Sequence, residues 1–226
     1  MTNPLFTWTG PFTAKAWMLA CLCIPALPAS GPHPLFMPRT VKQAIKNGTR
    51  TLDGRPGPNY WENHGRYTMT VTAMPPDRTI KGTEQITYMN NSPDTLGSLV
   101  FKLFINIHKP EAPRANGTTD AFLTSGVHID SFAVNGQPAQ WRSSPRFFTW
   151  QPVKLPTPLM PHDSVHLAIN WHYEISRQAG REGMLDSTTY YLAYFYPRVA
   201  VYDDYNGWDT MDFTGQQEFY SDFNDY

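Results

Sequence analysis

Polar and apolar residues alternate over long stretches of the chain between about residues 60 and 175. In the stretch 164–174, the alternation places five large apolar side chains on one side: Val165, Leu167, Ile169, Trp171 and Tyr173. Period-two runs rich in β-branched and aromatic residues predict β-strands. Turn signals separate the runs, among them PPDRT at 75–79 and Asn135-Gly136, a pair that favours a two-residue hairpin turn. The pattern predicts an all-β fold, an antiparallel β-sandwich or saddle-like assembly of sheets.

One short helix is predicted, over residues 40–48. Its apolar stripe consists of Val41, Ala44 and Ile45. Thr40 is placed to cap the first turn, and Gly48 is placed to end the helix.

Two stretches have no clear period. Residues 100–107 are apolar at most positions, and we expect a buried strand there. Residues 155–161 contain three prolines, which would break a helix, so we expect the strand that carries His166 to follow a turn and not a helix.

The N-terminus has the pattern of an export signal. Lys15 precedes an apolar stretch, residues 16–29, which ends in Ala29 and is too short for a membrane span. We expect a signal peptide at 1–29, a linker with the short helix at 30–54, and a β domain at 55–226. The protein is then exported to the periplasm, the cell surface or the medium. Both cysteines, Cys21 and Cys23, lie in the signal, and a lipid anchor at Cys21 is an alternative.

Charge excludes some partners. The 226-residue chain has a formal net charge of −1, which favours neither nucleic acid nor an anionic membrane. Beyond Arg198 the sequence has no Lys or Arg but has seven acidic residues: Asp203, Asp204, Asp209, Asp212, Glu218, Asp222 and Asp225. These residues predict either solvated acidic loops or a surface that attracts cations and amines.

The histidines raise the question of a zinc site. His162 and His166, with Asp163 between them, come close to the peptidase pattern H-E-x-x-H. Two residues four apart on a strand lie about 13 Å apart, too far to share one zinc ion. We therefore predict a turn followed by a strand, and a solvated sheet face carrying His166, His172 and Glu174. On this reasoning no two imidazoles of the chain are expected to meet.

The sequence also suggests two other kinds of binding site, one for calcium and one for sugars. The stretch 203–212, DDYNGWDTMD, resembles part of a calcium loop, but Tyr202 and Phe213 would occupy its first and last ligand positions, so a turn at Asn206-Gly207 is the better interpretation. Four tryptophans suggest a sugar-binding face, as in a free-standing β-sandwich module: Trp141, Trp150, Trp171 and Trp208.

Three segments, in order, resemble the aminopeptidase N family of zinc metallopeptidases, in its exported bacterial branch. They are PGPNYWENHGRYTMTV (56–71), GTEQITYMNNSPDTLGSLVFKLFIN (82–106) and YFYPRVAVYDDYNGWD (194–209). In that family a saddle-shaped N-terminal β domain packs on a catalytic domain that carries H-E-x-x-H and G-x-M-E-N. The sequence contains neither motif. The resemblance therefore implies a non-catalytic β domain, truncated at its C-terminus, whose zinc and catalytic residues lie in a domain outside this sequence.

The resemblance also implies a candidate site. A Gln or Glu just before the YPR-like segment holds the substrate amine in the family, and Tyr194 occupies that position here. We expect the wall of the substrate cleft at Tyr194, Tyr196, Arg198, Asp203 and Asp204, with no catalytic residue, metal ligand or cofactor in this chain. The expected partners are the catalytic domain and, through the whole enzyme, a peptide. The isolated chain is expected to expose a large apolar patch and to dissolve poorly.

Overall fold

A computed structural model describes residues 36–226 of the chain. The predicted signal peptide, residues 1–29, lies outside the described residues. Within 36–226, no helix is both long and apolar enough to cross a membrane.

The predicted helix is present as α1, Arg39–Asn47. Ala44 is buried, and Val41 and Ile45 are half-buried, so the apolar stripe faces the protein as expected. Gly48 ends the helix with a φ of 75°, and its N–H contacts the carbonyls of the last turn. The predicted cap by Thr40 is wrong, because the helix begins after Pro38 and has no side-chain cap.

Strands are the main regular secondary structure of the described chain. Their bounds are β1 His64–Ala73, β2 Thr79–Met89, β3 Leu96–Lys102, β4 Val127–Val134, β5 Gln137–Pro138, β6 Trp150–Leu159, β7 Ser164–Glu174, β8 Gly183–Met184, β9 Tyr190–Tyr191, β10 Arg198–Val199, β11 Tyr202–Asp203 and β12 Gly207–Trp208. A 3₁₀ helix spans Phe104–His108.

The strands form two principal antiparallel sheets. The larger has the order β1-β2-β7-β4-β5, and the smaller has the order β10-β3-β6. The buried side chains of both sheets form one core, in which Phe101 of β3 and Phe132 of β4 pack edge to face with ring centroids 6.1 Å apart. Two short ribbons, β8–β9 and β11–β12, complete the fold. The predicted all-β, antiparallel sandwich-like class is confirmed.

The predicted hairpins are also present. β1 and β2 pair along their length around the PPDRT turn. Asn135 and Gly136 join β4 to β5 with φ values of 50° and 75°, as a two-residue turn of the predicted type requires.

The predicted strand over 100–107 is only half correct. β3 ends at Lys102, and the next residues form the 3₁₀ helix. The Asn106 side chain donates to the Phe148 carbonyl at 2.8 Å and accepts from the Val127 N–H at 2.9 Å. These hydrogen bonds stabilise the buried 3₁₀ helix. A uniformly apolar sequence does not show whether a buried segment is a strand or a helix.

Residues 155–161 form no helix, as the prolines predict, and β6 continues to Leu159 through Pro156 and Pro158. β6 is an edge strand of the smaller sheet, and both prolines are exposed. An edge strand tolerates proline because the missing N–H faces away from its neighbour.

Two residues of β2 show how tightly the core is packed. Trp171 of β7 lies against Gly82, where an added Cβ would come within 2.1 Å of the indole. Glu84, two residues further on, is 1% exposed, and burial raises the pKa of its carboxyl well above its usual value. Among the described residues, neither carboxyl oxygen of Glu84 has a hydrogen-bond partner.

Candidate functional site

The five residues predicted to form the cleft wall follow one path along the smaller sheet. Arg198 of β10 pairs with Lys102 of β3, and the Ala200 N–H donates to the Val100 carbonyl at 2.7 Å. The chain then enters the β11–β12 ribbon. The structure does not gather the five side chains into one cluster; they divide among four neighbouring environments.

Tyr194 and Arg198 lie at an aromatic cluster formed by Phe104, Phe213 and Phe219. The Arg198 guanidinium lies 4.8 Å from the Phe104 ring centroid and 5.4 Å from that of Phe219. This geometry is typical of a cation–π contact. Tyr194, at a φ of 59°, packs its ring 4.2 Å from Phe219. Both side chains therefore pack within the cluster.

Tyr196 has a different environment, beside the C-terminal residues. Its hydroxyl lies 2.9 Å from the Tyr226 hydroxyl, and both rings pack against Tyr67. Burial raises the pKa of Tyr196, so its phenol stays protonated at neutral pH. The Tyr67 hydroxyl in turn accepts from the Val199 N–H at 3.1 Å.

Asp203 organises the turn between β11 and β12. Its Oδ1 accepts from the N–H groups of Tyr205 at 3.1 Å and Asn206 at 2.6 Å, and its Oδ2 accepts from the Tyr220 hydroxyl at 3.1 Å. Gly207 follows with a φ of 74°. The turn predicted at Asn206-Gly207 is therefore confirmed.

Asp204 binds the residues that follow helix α1. Arg50 donates Nη2–H to Oδ1 at 2.7 Å and Nε–H to the same oxygen at 3.0 Å, while Thr49 Oγ1 donates to Oδ2 at 2.5 Å. Burial alone would raise the pKa of Asp204, but the hydrogen bonds from Arg50 and Thr49 outweigh it and lower the pKa. The side chain of Asp204 is 2% exposed, so its role in the described chain is to join α1 to the ribbon.

Sequence reasoning missed a buried ion pair next to the aromatic cluster. The Lys102 ammonium, 4% exposed, donates to Asp209 Oδ2 at 2.9 Å and to the Met211 carbonyl at 2.6 Å. Burial lowers the pKa of Lys102, and the hydrogen bond to Asp209 offsets part of that shift. The pair borders a cavity of about 140 Å³. The only signal in the sequence is a lysine inside an otherwise apolar strand.

A wider groove of about 870 Å³ lies on the other side of the Asp204 contact. Its lining includes Tyr60, Trp61, Glu62, Asn91, Asp94 and His162. Trp61 stacks on Tyr202 with centroids 5.6 Å apart, and the Tyr202 hydroxyl donates to Asp94 at 2.8 Å. The groove therefore combines aromatic rings with amide and carboxylate groups.

The four tryptophans suggested as a sugar-binding face do not form one. Trp171 is fully buried, Trp141 and Trp208 are half-buried against the core, and Trp150 is half-buried beside Phe147.

His162 and His166 follow the predicted turn and strand. His162 lies in the turn, with a φ of 62°, and His166 lies on β7 beside the Thr87 hydroxyl at 3.0 Å. No three His, Cys, Asp or Glu side chains converge as metal ligands anywhere in 36–226. The expectation that no imidazoles meet is wrong, however, because His128 and His172 stack with centroids 5.0 Å apart. The error came from measuring distances along one strand and not across the sheet.

No protein-family model matches the sequence, and a search of curated proteins finds no relative. Among solved structures, this fold is similar in part to M1 zinc metallopeptidases. The enzyme from Deinococcus radiodurans shares 16% identity and a TM-score of 0.34 over 58% of this chain and 24% of its own. A variant of it bound to a Tyr-Ser-Ala substrate shares 18% identity and a TM-score of 0.33 over 50% of this chain and 20% of its own. This chain thus spans about a quarter or less of those enzymes, and a similarity this low does not carry their activity over to it.

Proposed function

We propose that this chain is a non-catalytic β domain that packs on the catalytic domain of a zinc aminopeptidase and shapes one wall of its substrate cleft. The proposal is supported by the three ordered segments that resemble the family. The single structural observation that carries it is the apolar surface of the C-terminal segment, residues 205–226, which directly follows the best-matching stretch.

Five large side chains of the C-terminal segment are exposed: Tyr205, Met211, Tyr220, Phe223 and Tyr226. Phe223 is 85% exposed and Tyr226 is 65% exposed. Burying one such aromatic side chain at an interface stabilises the interface by about 2–3 kcal/mol. Clustered apolar side chains at the surface mark docking surfaces more often than scattered ones do.

Acidic residues in and beside this segment fit a role next to a substrate amine. Burial, together with the nearby carboxylates of Glu62 and Asp203, raises the pKa of Asp222 to about 7. A negatively charged rim would attract the free ammonium of a peptide by long-range attraction. Tyr194, which matches the family's amine-binding position, is occupied by its aromatic contacts, so the acidic rim replaces it in this proposal.

The described residues do not fit a catalytic zinc site, since no three ligands converge within 36–226. Zinc would belong to the catalytic domain, where the resemblance implies that it polarises the scissile carbonyl and activates a water molecule. The part played by this chain is packing and positioning.

The gene provides the first test. Sequencing beyond codon 226 and through the neighbouring genes should find a reading frame that encodes H-E-x-x-H. With that frame expressed together with this chain, Phe223→Ser should lower aminopeptidase activity on aminoacyl p-nitroanilides and release the chain from its partner in gel filtration. Leu52→Ser is the matched control, because Leu52 is equally exposed, at 82%, but lies outside the C-terminal segment. Equal behaviour of the two variants, or no such reading frame, contradicts the proposal.

A second candidate, a free-standing binding module for glycans, is favoured by the groove at Tyr60. Aromatic rings with planar polar groups beside them are suited to the apolar and hydroxyl faces of a sugar. Affinity electrophoresis in gels that contain soluble polysaccharides should show retardation that Tyr60→Ala abolishes. Tyr191→Ala, at a tyrosine of similar exposure, is the control.

A further inference from the structure

The histidine pair on the larger sheet is created by strand register. His128 of β4 lies directly opposite His172 of β7. Their rings are nearly parallel, at an interplanar angle of 12° and a centroid distance of 5.0 Å. Two nitrogens that share one metal ion at about 2.0–2.1 Å each lie roughly 3–4 Å apart, so binding one ion requires a ring rotation that turns one nitrogen of each histidine toward it.

A neighbouring carboxylate fixes the orientation of one ring. His172 Nδ1 lies 2.8 and 3.0 Å from the two oxygens of Asp130, so Nδ1–H donates to the carboxylate and the lone pair is placed on Nε2. Asp130 is the extra residue of a β-bulge between Ile129 and Ser131, which directs its side chain toward His172. A carboxylate on the second nitrogen is the usual arrangement around a metal-ligating histidine.

The other ring is held in a similar way. His128 Nε2 lies 2.8 Å from the Ser125 hydroxyl, which leaves Nδ1 without a hydrogen-bond partner in the described part of the chain. Nδ1 is therefore the atom of His128 that is left to bind a metal ion.

Both rings border a cavity of about 450 Å³ that is open to solvent. Its other charged lining residues are Asp77, Glu174, Arg78 and Arg177. Two acids and two arginines leave its formal charge near zero, so the cavity does not repel a cation strongly. It is large enough for an ion and the waters that would complete its coordination.

We propose that His128 and His172 bind a divalent transition-metal ion of the class that prefers imidazole, with Cu²⁺ bound most tightly. Asp130 is the positioning residue, and water fills the remaining coordination positions. The proposal is independent of the proposed function, because the site lies on a different sheet from the cleft wall.

The test is a Cu²⁺ titration of the full chain without a histidine tag. All proteins carry Cys21→Ser and Cys23→Ser, which removes the thiols. Isothermal calorimetry should give one ion per chain, and His128→Asn and His172→Asn should each weaken binding at least tenfold. The matched control is His166→Asn, because His166 is exposed on the same face of β7 but has no imidazole neighbour across the sheet.

The positioning role of Asp130 is tested by measurements that a purely structural role would not change. Asp130→Asn should weaken Cu²⁺ binding about 10–100-fold. Asp130→Glu should retain most of the affinity. In electron paramagnetic resonance, the coupling to two imidazole nitrogens should disappear only in the two histidine variants. Binding that is absent in the parent protein, or unaffected by both histidine substitutions, or weakened equally by His166→Asn, overturns the proposal.

Discussion

The contact between Asp204 and Arg50 gives a quantitative prediction about stability. Asp204→Ala removes a carboxylate that accepts two short hydrogen bonds from Arg50 and one from Thr49. A hydrogen bond to a charged group stabilises a protein by about 1.5–3 kcal/mol. Arg50 is 32% exposed and regains part of its hydration, which reduces the loss. We expect the free energy of unfolding to fall by about 2–4 kcal/mol, equivalent to roughly 4–16 °C in Tm for a domain of this size.

The assay is urea unfolding at pH 7, followed by tryptophan fluorescence, with Asp53→Ala as the matched control. Asp53 also pairs with an arginine, but both of those side chains are mostly exposed, at 62% and 84%, so its loss should cost much less than the loss of Asp204. Because folding lowers the pKa of the Asp204 carboxyl, its ionised form stabilises the fold at pH values above the unfolded pKa, near 3.9. This stabilisation is lost as pH falls through the folded pKa. The difference between parent and Asp204→Ala should therefore vanish in acid. A loss below about 1 kcal/mol at pH 7, or one equal to that of Asp53→Ala, would refute the reasoning.

Two further predictions concern the core and the acidic rim. Gly82→Ala places a methyl group against Trp171 and should destabilise the fold by about 1–3 kcal/mol in thermal unfolding, whereas Gly97→Ala, with no atom within 4 Å of its added Cβ, should change stability little. The raised pKa of Asp222 has the opposite effect on stability from the lowered pKa of Asp204. The stability that protonated Asp222 provides is complete below pH 4 and is lost as pH rises through its folded pKa of about 7. Asp222→Asn should thus become more stable than the parent between pH 5 and 8, and a constant difference across that range would contradict the assignment.

The sequence alone predicted the features that depend on neighbouring residues. A two-residue hairpin loop requires positive φ values, which Asn135 and Gly136 adopt readily. The strict alternation of 164–174 predicts a strand whatever its partners are. The turn at Asn206-Gly207 follows from the same local chemistry.

Features that depend on distant residues were not predictable in this way. Asp204 and Arg50 are 154 positions apart, and nothing in either segment indicates the other. His128 meets His172 because β4 pairs with β7, a choice that the alternation of each strand leaves open. The five residues of the predicted cleft wall adjoin along the chain, but their side chains contact partners from distant parts of the sequence, which the sequence did not indicate.

The buried carboxyl of Glu84 couples folding to the uptake of a hydrogen ion. Because this carboxyl enters the core of the larger sheet with a raised pKa, folding at a pH between its unfolded and folded pKa values takes up a hydrogen ion from the solvent. The heat of unfolding measured by calorimetry should therefore depend on the ionisation enthalpy of the buffer, differing between phosphate and Tris at the same pH, and replacing Glu84 with Gln should remove that difference.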